Sequence, residues 1–494
     1  MTGHAAGVVP TPESLDPTDW TALRRQGHRM LDDMFDYLAT LRARPVWQPA
    51  PDAVREGFSQ ALPRGSCDLA EVHERFMNEI LPYGVGNAHP GFMGWVQGGG
   101  TAVGMLAETL AAGLNANVGG RSQIPVEVER QITRWMRDLF GFPESASGVF
   151  VTGTSTANLI SVLVASRKRL GAQVRSRGLA AQEQRLVAYA AVSAHGCVKQ
   201  AMDLSGLGTD ALRLIPIDAD FRMQPWALRA AIAADRQAGY TPFLVVGSAG
   251  TVDVGAIDPL PQLADIAQQE GLWLHVDGAF GAMAMLSPEL APKLAGIERA
   301  DSIAFDFHKW VQVPYDAGFV LVRDGQQHLD TFAADVNYLK RETRGLAGGS
   351  PWPCDFGPDL SRGFRALKTW FTLQVYGADA LGRSIANNCR VARHLAARVQ
   401  AEPVLELLTP VNLNVVCFRY LPAGIDAQQA DRLNAAIVVA LHEAGIAAPS
   451  TTTVDGKLAI RAAIVNHRTG TADVDRLADA VLQIGKPMAA QAGL

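Results

Sequence analysis

Apolar residues along this chain fall into two rhythms, and the way the rhythms alternate predicts the architecture. Between Gly148 and about Val322, short apolar runs appear at Val149–Thr152, Leu186–Val192, Leu212–Ile217, Phe243–Val246, Leu272–Val276, Ile303–Phe307 and Phe319–Val322. Segments of helical period, such as Ala157–Leu170 and Pro259–Glu270, separate most of them. Repeated strand-then-helix units of this kind give a mainly parallel sheet with helices on both faces. The expected fold class is α/β. In such sheets ligands bind beyond the carboxyl ends of the strands, so the residues just after each run are the ones to inspect.

The flanks follow other patterns. From Thr18 to Leu41, residues Leu23, Met30, Leu31, Met34, Phe35 and Leu38 recur at three- and four-residue spacing, which predicts a helix stopped by Pro45, Pro49 and Pro51. A second amphipathic stretch, Leu69–Leu81, follows. A helical preface with no core of its own packs on another domain or another subunit. Thr331–Ser361 is rich in Gly and Pro and lacks a period, as expected of a lid or binding loop. A helix at Phe364–Tyr376 then leads to strand-like runs at Asn414–Tyr420 and Leu458–Val465, among helical stretches near Ala427–Ala444 and Ala472–Ile484. Three units result: a helical segment, 1–85; a large α/β domain, 86–376, carrying the loop 331–361; and a smaller C-terminal α/β domain, 377–494.

Composition narrows the classes. Of 494 residues, 48% are hydrophobic and 19% charged, a globular balance rather than a disordered one. A net charge of -5 gives no general attraction to nucleic acid or anionic membranes. Five scattered cysteines without CxxC spacing argue against a disulfide framework and a zinc site, and fit a reducing compartment. The opening residues lack the basic-then-apolar pattern of a secretory signal, and no apolar segment approaches the ~20 residues that span a bilayer. The expectation is a cytoplasmic protein. Gly98, Gly99, Gly100 and Gly104 fail the GxGxxG spacing of a dinucleotide fingerprint.

Chemistry gathers at the strand ends. The first run leads into Gly153-Thr154-Ser155 at a helix start, where free N–H groups, hydroxyls and the dipole suit a phosphate; plain capping explains the turn equally well. Further ends carry His195, Thr251, and Asp277 followed by Gly278 and Ala279. The Ile303–Phe307 run delivers His308-Lys309. A lysine in an apolar surround holds its amine ready to join an aldehyde. A phosphate cradle, a flat imidazole, a buried carboxylate and a strand-end lysine together describe a pocket for pyridoxal 5′-phosphate (PLP). The carboxylate would stabilise the protonated ring nitrogen that makes the cofactor an electron sink.

These residues carry a resemblance. Through HPGFMGW, VTGTSTANL, VSAH, GTVDVGAID, WLHVDGAFG, FHKW, NYLK and SRGFRALKTW, from about His89 to Arg468, the chain resembles the group II PLP-dependent decarboxylases, close to the aromatic-L-amino-acid decarboxylases and their bacterial relatives. The resemblance implies a fold type I enzyme and a homodimer with its active site at the subunit interface. It implies that Lys309 holds the cofactor, Asp277 pairs the ring nitrogen and His195 stacks on the ring. Thr154 and Ser155 match the phosphate turn, and Thr251 and Ala279 match cofactor-lining positions. His308 matches a histidine near cofactor and substrate, and Tyr338 in NYLK matches the tyrosine that protonates the carbanion. Two positions depart: Asp306 and Gly98 stand where the animal enzymes carry Asn and Thr.

The expected function is decarboxylation of an L-amino acid to its amine, with no metal. Phe92 and Trp95 favour an aromatic substrate, although core or interface packing accounts for them nearly as well. An aldehyde synthase on the same scaffold, and a β-hydroxylated or aliphatic substrate, stand as alternatives. From another class, a metal-dependent hydrolase would use His275 and Asp277 as ligands and needs a third.

Overall fold

A computed structural model describes residues 14–333 and 341–491. A two-residue strand, β1 (Phe92–Met93), precedes a seven-stranded sheet built from β2 (Ser147–Val151), β3 (Leu186–Ala191), β4 (Leu212–Ile215), β5 (Thr241–Ser248), β6 (Trp273–Asp277), β7 (Ser302–Asp306) and β8 (Gly318–Val322). The spatial order is β2-β8-β7-β6-β5-β3-β4. Only β8 runs antiparallel to its neighbours β2 and β7.

The unbroken apolar runs are explained by burial on both faces. Phe150, Tyr189, Val245, Leu274, Val276, Phe305 and Phe319 join one core. The alternate positions Val151, Ala188, Leu244, Trp273, Ala304 and Val320 join another. Helices Thr154–Leu170 and Gly196–Leu204 cover the second face, and Ile124–Leu139 and Leu260–Glu270 supply residues to the first.

The long helix Arg365–Gln400 leaves helical geometry at Gly377, where φ is 76°. Its second half joins a five-stranded sheet of order β1-β11-β12-β10-β9, from β9 (Leu405–Leu407), β10 (Val415–Tyr420), β11 (Ala448–Val454) and β12 (Lys457–Ala463). β1 comes from far upstream and pairs parallel with β11. Before the large sheet, helix Trp20–Ala39 buries none of its residues in this chain, and Trp20, Leu23 and Phe35 lie exposed. The stretch Leu69–Leu81 is α-helical to Arg75 and continues as a π-helix, Phe76–Ile80.

The loop 331–361 is only partly described, and its described portion is anchored. Trp352 is buried and donates its indole N–H to the Gly348 carbonyl at 2.8 Å. Arg341 lies over the Trp352 ring and pairs with Asp355 at 2.5 Å. Beyond them Arg362 makes a buried two-pronged pair with Glu129, at 3.0 and 2.6 Å, and reaches the Phe150 carbonyl at 2.8 Å. Residues 341–361 are therefore pinned to β2 and helix Ile124–Leu139 rather than free to act as a lid along their whole length.

His328 gives the fold a pH response. Its ring is buried against Phe356, with Nδ1 2.8 Å from the Ser147 hydroxyl, and burial pushes its pKa down to about 3. The unfolded chain, with an ordinary value near ~6.5, takes up this proton first. The contribution is complete above that value and is lost as pH falls toward the folded one. We expect urea stability to decline by on the order of 3 kcal/mol from this group between pH 6.5 and 4. His328→Gln should flatten that share; an unchanged slope would assign the acid response to other groups.

Candidate active site

Because β2, β3, β5, β6 and β7 run the same way, their carboxyl ends open on one side. There a cavity of about 440 Å³ is lined by Thr154, Ser155, His195, Thr251, Asp277, Ala279, His308, Lys309 and Trp95. Asp306, Tyr315 and Cys197 line it as well. A cavity of similar size at the opposite end of the strands, bordered by Lys168, Trp273 and Arg299, lies on the side where sheets of this type do not bind their ligands.

Lys309 follows β7 by three residues. Its side chain is 22% exposed, and Nζ lies 3.0 Å from Asp306 Oδ2. Asp306 itself is 2% exposed, and its Oδ1 has no hydrogen-bond partner among the described residues. The His308–Lys309 main chain is held from behind by Gly98. A Cβ there would come within 2.2 Å of the His308 carbonyl oxygen and 2.4 Å of that of Lys309. No side chain fits, which accounts for glycine at this departure. His308 accepts the Ala317 N–H on Nδ1 at 3.0 Å, lies tilted against the Tyr315 ring with centroids 4.3 Å apart, and has its pKa lowered by burial against the opposing pull of Asp306. Neutral, with Nδ1 accepting, it carries its proton on Nε2, 3.6 Å from Asp306.

Asp277 ends β6. Oδ1 accepts the Ala279 N–H at 3.1 Å, and Oδ2 accepts Asn158 Nδ2 at 3.0 Å. Across the cavity, β2 gives way to helix Thr154–Leu170. Gly318 of β8 packs so tightly on Gly153 that a Cβ would sit 2.4 Å from its Cα, which presses the turn against the sheet. Thr154 Oγ1 is buried there without a partner among the described residues, while Ser155 is exposed. His195 caps helix Gly196–Leu204 by accepting the Cys197 N–H at 3.1 Å, and its ring stays exposed. Thr251 Oγ1 accepts the Ala256 N–H at 3.0 Å.

Phe92 does not line this cavity. It is buried in β1 beside Val46 and Ala448, so packing, not substrate contact, accounts for it. Trp95, three residues on, is 55% exposed and does line the cavity. Tyr338 lies outside the described residues. As for metal ligands, both nitrogens of His275 are engaged, with Ser302 at 2.8 Å and Asn158 at 2.7 Å. Among the described residues no group of three or more His, Cys, Asp or Glu is placed to hold a metal.

Sequence reasoning passed over Tyr315 and Asn158. Burial raises the Tyr315 pKa to about 12, so its phenol keeps its proton. The signal for Asn158 was its spacing: four residues after Thr154, it shares that residue's helix face.

A fold type I scaffold whose strand ends bring a lysine, an aspartate and a helix-start turn into one cavity defines a PLP enzyme. The profile of the pyridoxal-dependent decarboxylase conserved domain matches residues 51–421, and the chain belongs to that family. It is similar to an aromatic-L-amino-acid decarboxylase of Bacillus atrophaeus, 32% identical over 92% of this chain and 93% of the relative. A phenylacetaldehyde synthase of Arabidopsis thaliana is 29% identical over 91% and 93%. Among solved structures, Oryza sativa TDC with PLP and tryptamine superposes with a TM-score of 0.88 at 26% identity, over 96% of this chain and all of that one (100%). The protein is a PLP-dependent amino-acid decarboxylase. The site fits the cofactor: a buried hydroxyl without a partner waits at a helix start, and a lysine and an aspartate face the same space.

The Gly98 contact is testable. Gly98→Ala should displace the His308–Lys309 loop, lower stability by about 1–3 kcal/mol and weaken PLP uptake. Thermal unfolding and cofactor titration would check this; two unchanged values would mean that the loop yields without cost.

Proposed function

We propose that this enzyme removes the carboxyl group of an aromatic L-amino acid and releases the amine, working as a cytoplasmic homodimer with its active site at the subunit interface. The observation that carries the reading is the convergence of Lys309, Asp277, His195 and the Thr154–Ser155 turn on one cavity whose mouth bears Trp95 and Tyr315. Relatives named for aromatic amino acids support the substrate class. The uncovered apolar face of helix Trp20–Ala39 supports a second copy. Five free cysteines fit a reducing compartment.

PLP, when bound, supplies an aldehyde that joins an amine and a protonated ring that withdraws electrons. Lys309 Nζ would hold it covalently, Asp277 would accept its ring N–H, His195 would supply a flat imidazole against it, and small Ala279 and Thr251 would bound it. Thr154 and Ser155 hold the phosphate with hydroxyls and helix-start N–H groups. His308, with its proton on Nε2, stands beside Lys309 where substrate enters. Trp95 and Tyr315 give an aromatic side chain flat surfaces to rest on. Tyr338 would serve as the proton donor to the substrate's Cα.

Borohydride reduction should leave a pyridoxyl group on Lys309, found by peptide mass mapping, and Lys309→Ala should abolish turnover. Asp277→Asn removes a charged, buried hydrogen-bond partner and should slow turnover roughly tenfold to a hundredfold. Full activity in a folded Asp277→Asn protein would show that another carboxylate does this work.

Tyr338→Phe keeps the ring and deletes the proton. Under air we expect less amine, with aldehyde, ammonia and hydrogen peroxide in its place. Amine at the unmutated rate would make Tyr338 a packing residue. Mostly aldehyde from the unmutated enzyme would favour the synthase reaction for which the Arabidopsis relative is named.

A further inference from the structure

We infer that Asn158, His275, Ser302 and Trp273 form a one-way hydrogen-bond relay that positions the Asp277 carboxylate for the cofactor ring. The inference rests on the assignment of Asp277 made above and adds four positioning residues behind it.

All the residues lie on one face of the sheet. Trp273, His275 and Asp277 alternate along β6, and the β6–β7 register sets Ser302 beside His275. Helix Thr154–Leu170 covers that face and lowers Asn158 onto it. The links are Trp273 Nε1 to Ser302 Oγ, 2.8 Å; Ser302 Oγ to His275 Nδ1, 2.8 Å; His275 Nε2 to Asn158 Oδ1, 2.7 Å; and Asn158 Nδ2 to Asp277 Oδ2, 3.0 Å. Trp273, Ser302, His275 and Asn158 are all buried.

The two ends set the direction of every link. An indole N–H only donates, and a carboxylate that receives a ring N–H is an acceptor. Asn158 must therefore turn its amide nitrogen to Asp277 and its oxygen to His275. His275 must then carry its proton on Nε2, leaving Nδ1 to accept the Ser302 hydroxyl, whose oxygen takes the Trp273 proton. A neutral imidazole is required, and burial supplies it by pushing the His275 pKa down to about 4. Bonds aligned head to tail polarise one another. The Cys197 thiol, 3.7 Å from Asp277 Oδ2 and held protonated by burial with a pKa of about 12, adds a weak donor on the same side.

Stability does not explain the arrangement. Replacing a satisfied buried polar set by apolar residues of the same shape is often neutral or favourable, and Val151, Ala188, Leu244, Ala304 and Val320 on this face are apolar. What the relay adds is orientation. Asp277 Oδ2 is held by Asn158 and Oδ1 by the Ala279 N–H, so the carboxylate plane is set before the cofactor arrives.

The test uses holoenzyme and two readouts besides activity: the pH dependence of the bound cofactor's absorbance, and the rate of PLP loss on dilution. Asn158→Leu and His275→Phe should shift the absorbance profile in the direction Asp277→Ala shifts it. They should speed PLP loss about tenfold, the size typical of outer partners of a bound group. His275→Gln, whose amide can accept from Ser302 and donate to Asn158, should restore most of both. Ser302→Ala removes one oxygen, and decides by the same readouts, with a smaller shift, if His275→Phe does not fold. Unchanged profiles and loss rates with only a lower melting temperature would overturn the relay, as would equal effects of Phe and Gln at His275. An Asp277→Ala protein with an unaltered absorbance profile would instead overturn the assignment of Asp277 itself.

Discussion

The register between β6 and β7 is the constraint on which the rest of this site depends. It pairs His275 with Ser302 and Asp277 with Ala304, and so places the Asp277 carboxylate beside the strand that delivers Lys309. In a sheet buried on both faces a slip of one residue would exchange the two cores. Trp273, His275 and Asp277 would then turn away from helix Thr154–Leu170, and Asn158 would meet a leucine and a valine. Tight backbone contacts enforce the same geometry from outside the pair. Gly318 lies against Gly153, and Gly98 against the carbonyls of His308 and Lys309. Each leaves no space for a Cβ, so the Gly153–Ser155 turn and the lysine loop have their positions set by backbone rather than by mobile side chains.

That geometry explains what was legible in the sequence. The strands of the large sheet showed as apolar runs because most of their positions on both faces are buried, with Leu214 of β4 exposed and His275 of β6 a buried polar exception. The strand ends could therefore be read for chemistry, and eight of the residues so read, joined by Trp95, line one cavity. What escaped lacks such a signature. β1 is two residues long, and β9 is three. β11 carries polar, partly exposed threonines through its middle. Phe92 looked like a loop aromatic because nothing local reveals that it pairs with Ala448, which lies in the small domain. Asn158 was readable in principle from its helical spacing, but its meaning depends on a strand more than a hundred residues away.

The loop after helix Gly325–Phe332 shows the limit of composition as a guide. Its Gly and Pro content marked it as irregular, and its described portion carries a short 3-10 turn at Pro353–Phe356. The aromatic and charged residues within it nevertheless make a small anchor, with Trp352 buried between Arg341 and Arg121 and with Asp355 answering Arg341. Arg362, just past the loop, ties it to Glu129 and to the backbone of β2. One end of the segment is thus fixed to the same strand that leads into Thr154.

Two buried carboxylates share the cavity, and their surroundings separate their work. Asp306 faces a cation, since Lys309 Nζ stands 3.0 Å away, and its other oxygen has no partner among the described residues. Among the described residues the hydrogen-bond donors to Asp277 are neutral: an amide side chain, a backbone N–H and a thiol. Neutral donors orient a carboxylate without cancelling its charge, so the charge of Asp277 stays available to a cation that enters the cavity. In the role proposed for Asp277, the protonated ring nitrogen of PLP would be such a cation. Environment assigning different roles to neighbouring carboxyl groups is a general device of active sites. Here the distinction is built by the choice of Asn at 158: a basic residue at that position would have neutralised Asp277 in advance, and an apolar one would have left it unoriented.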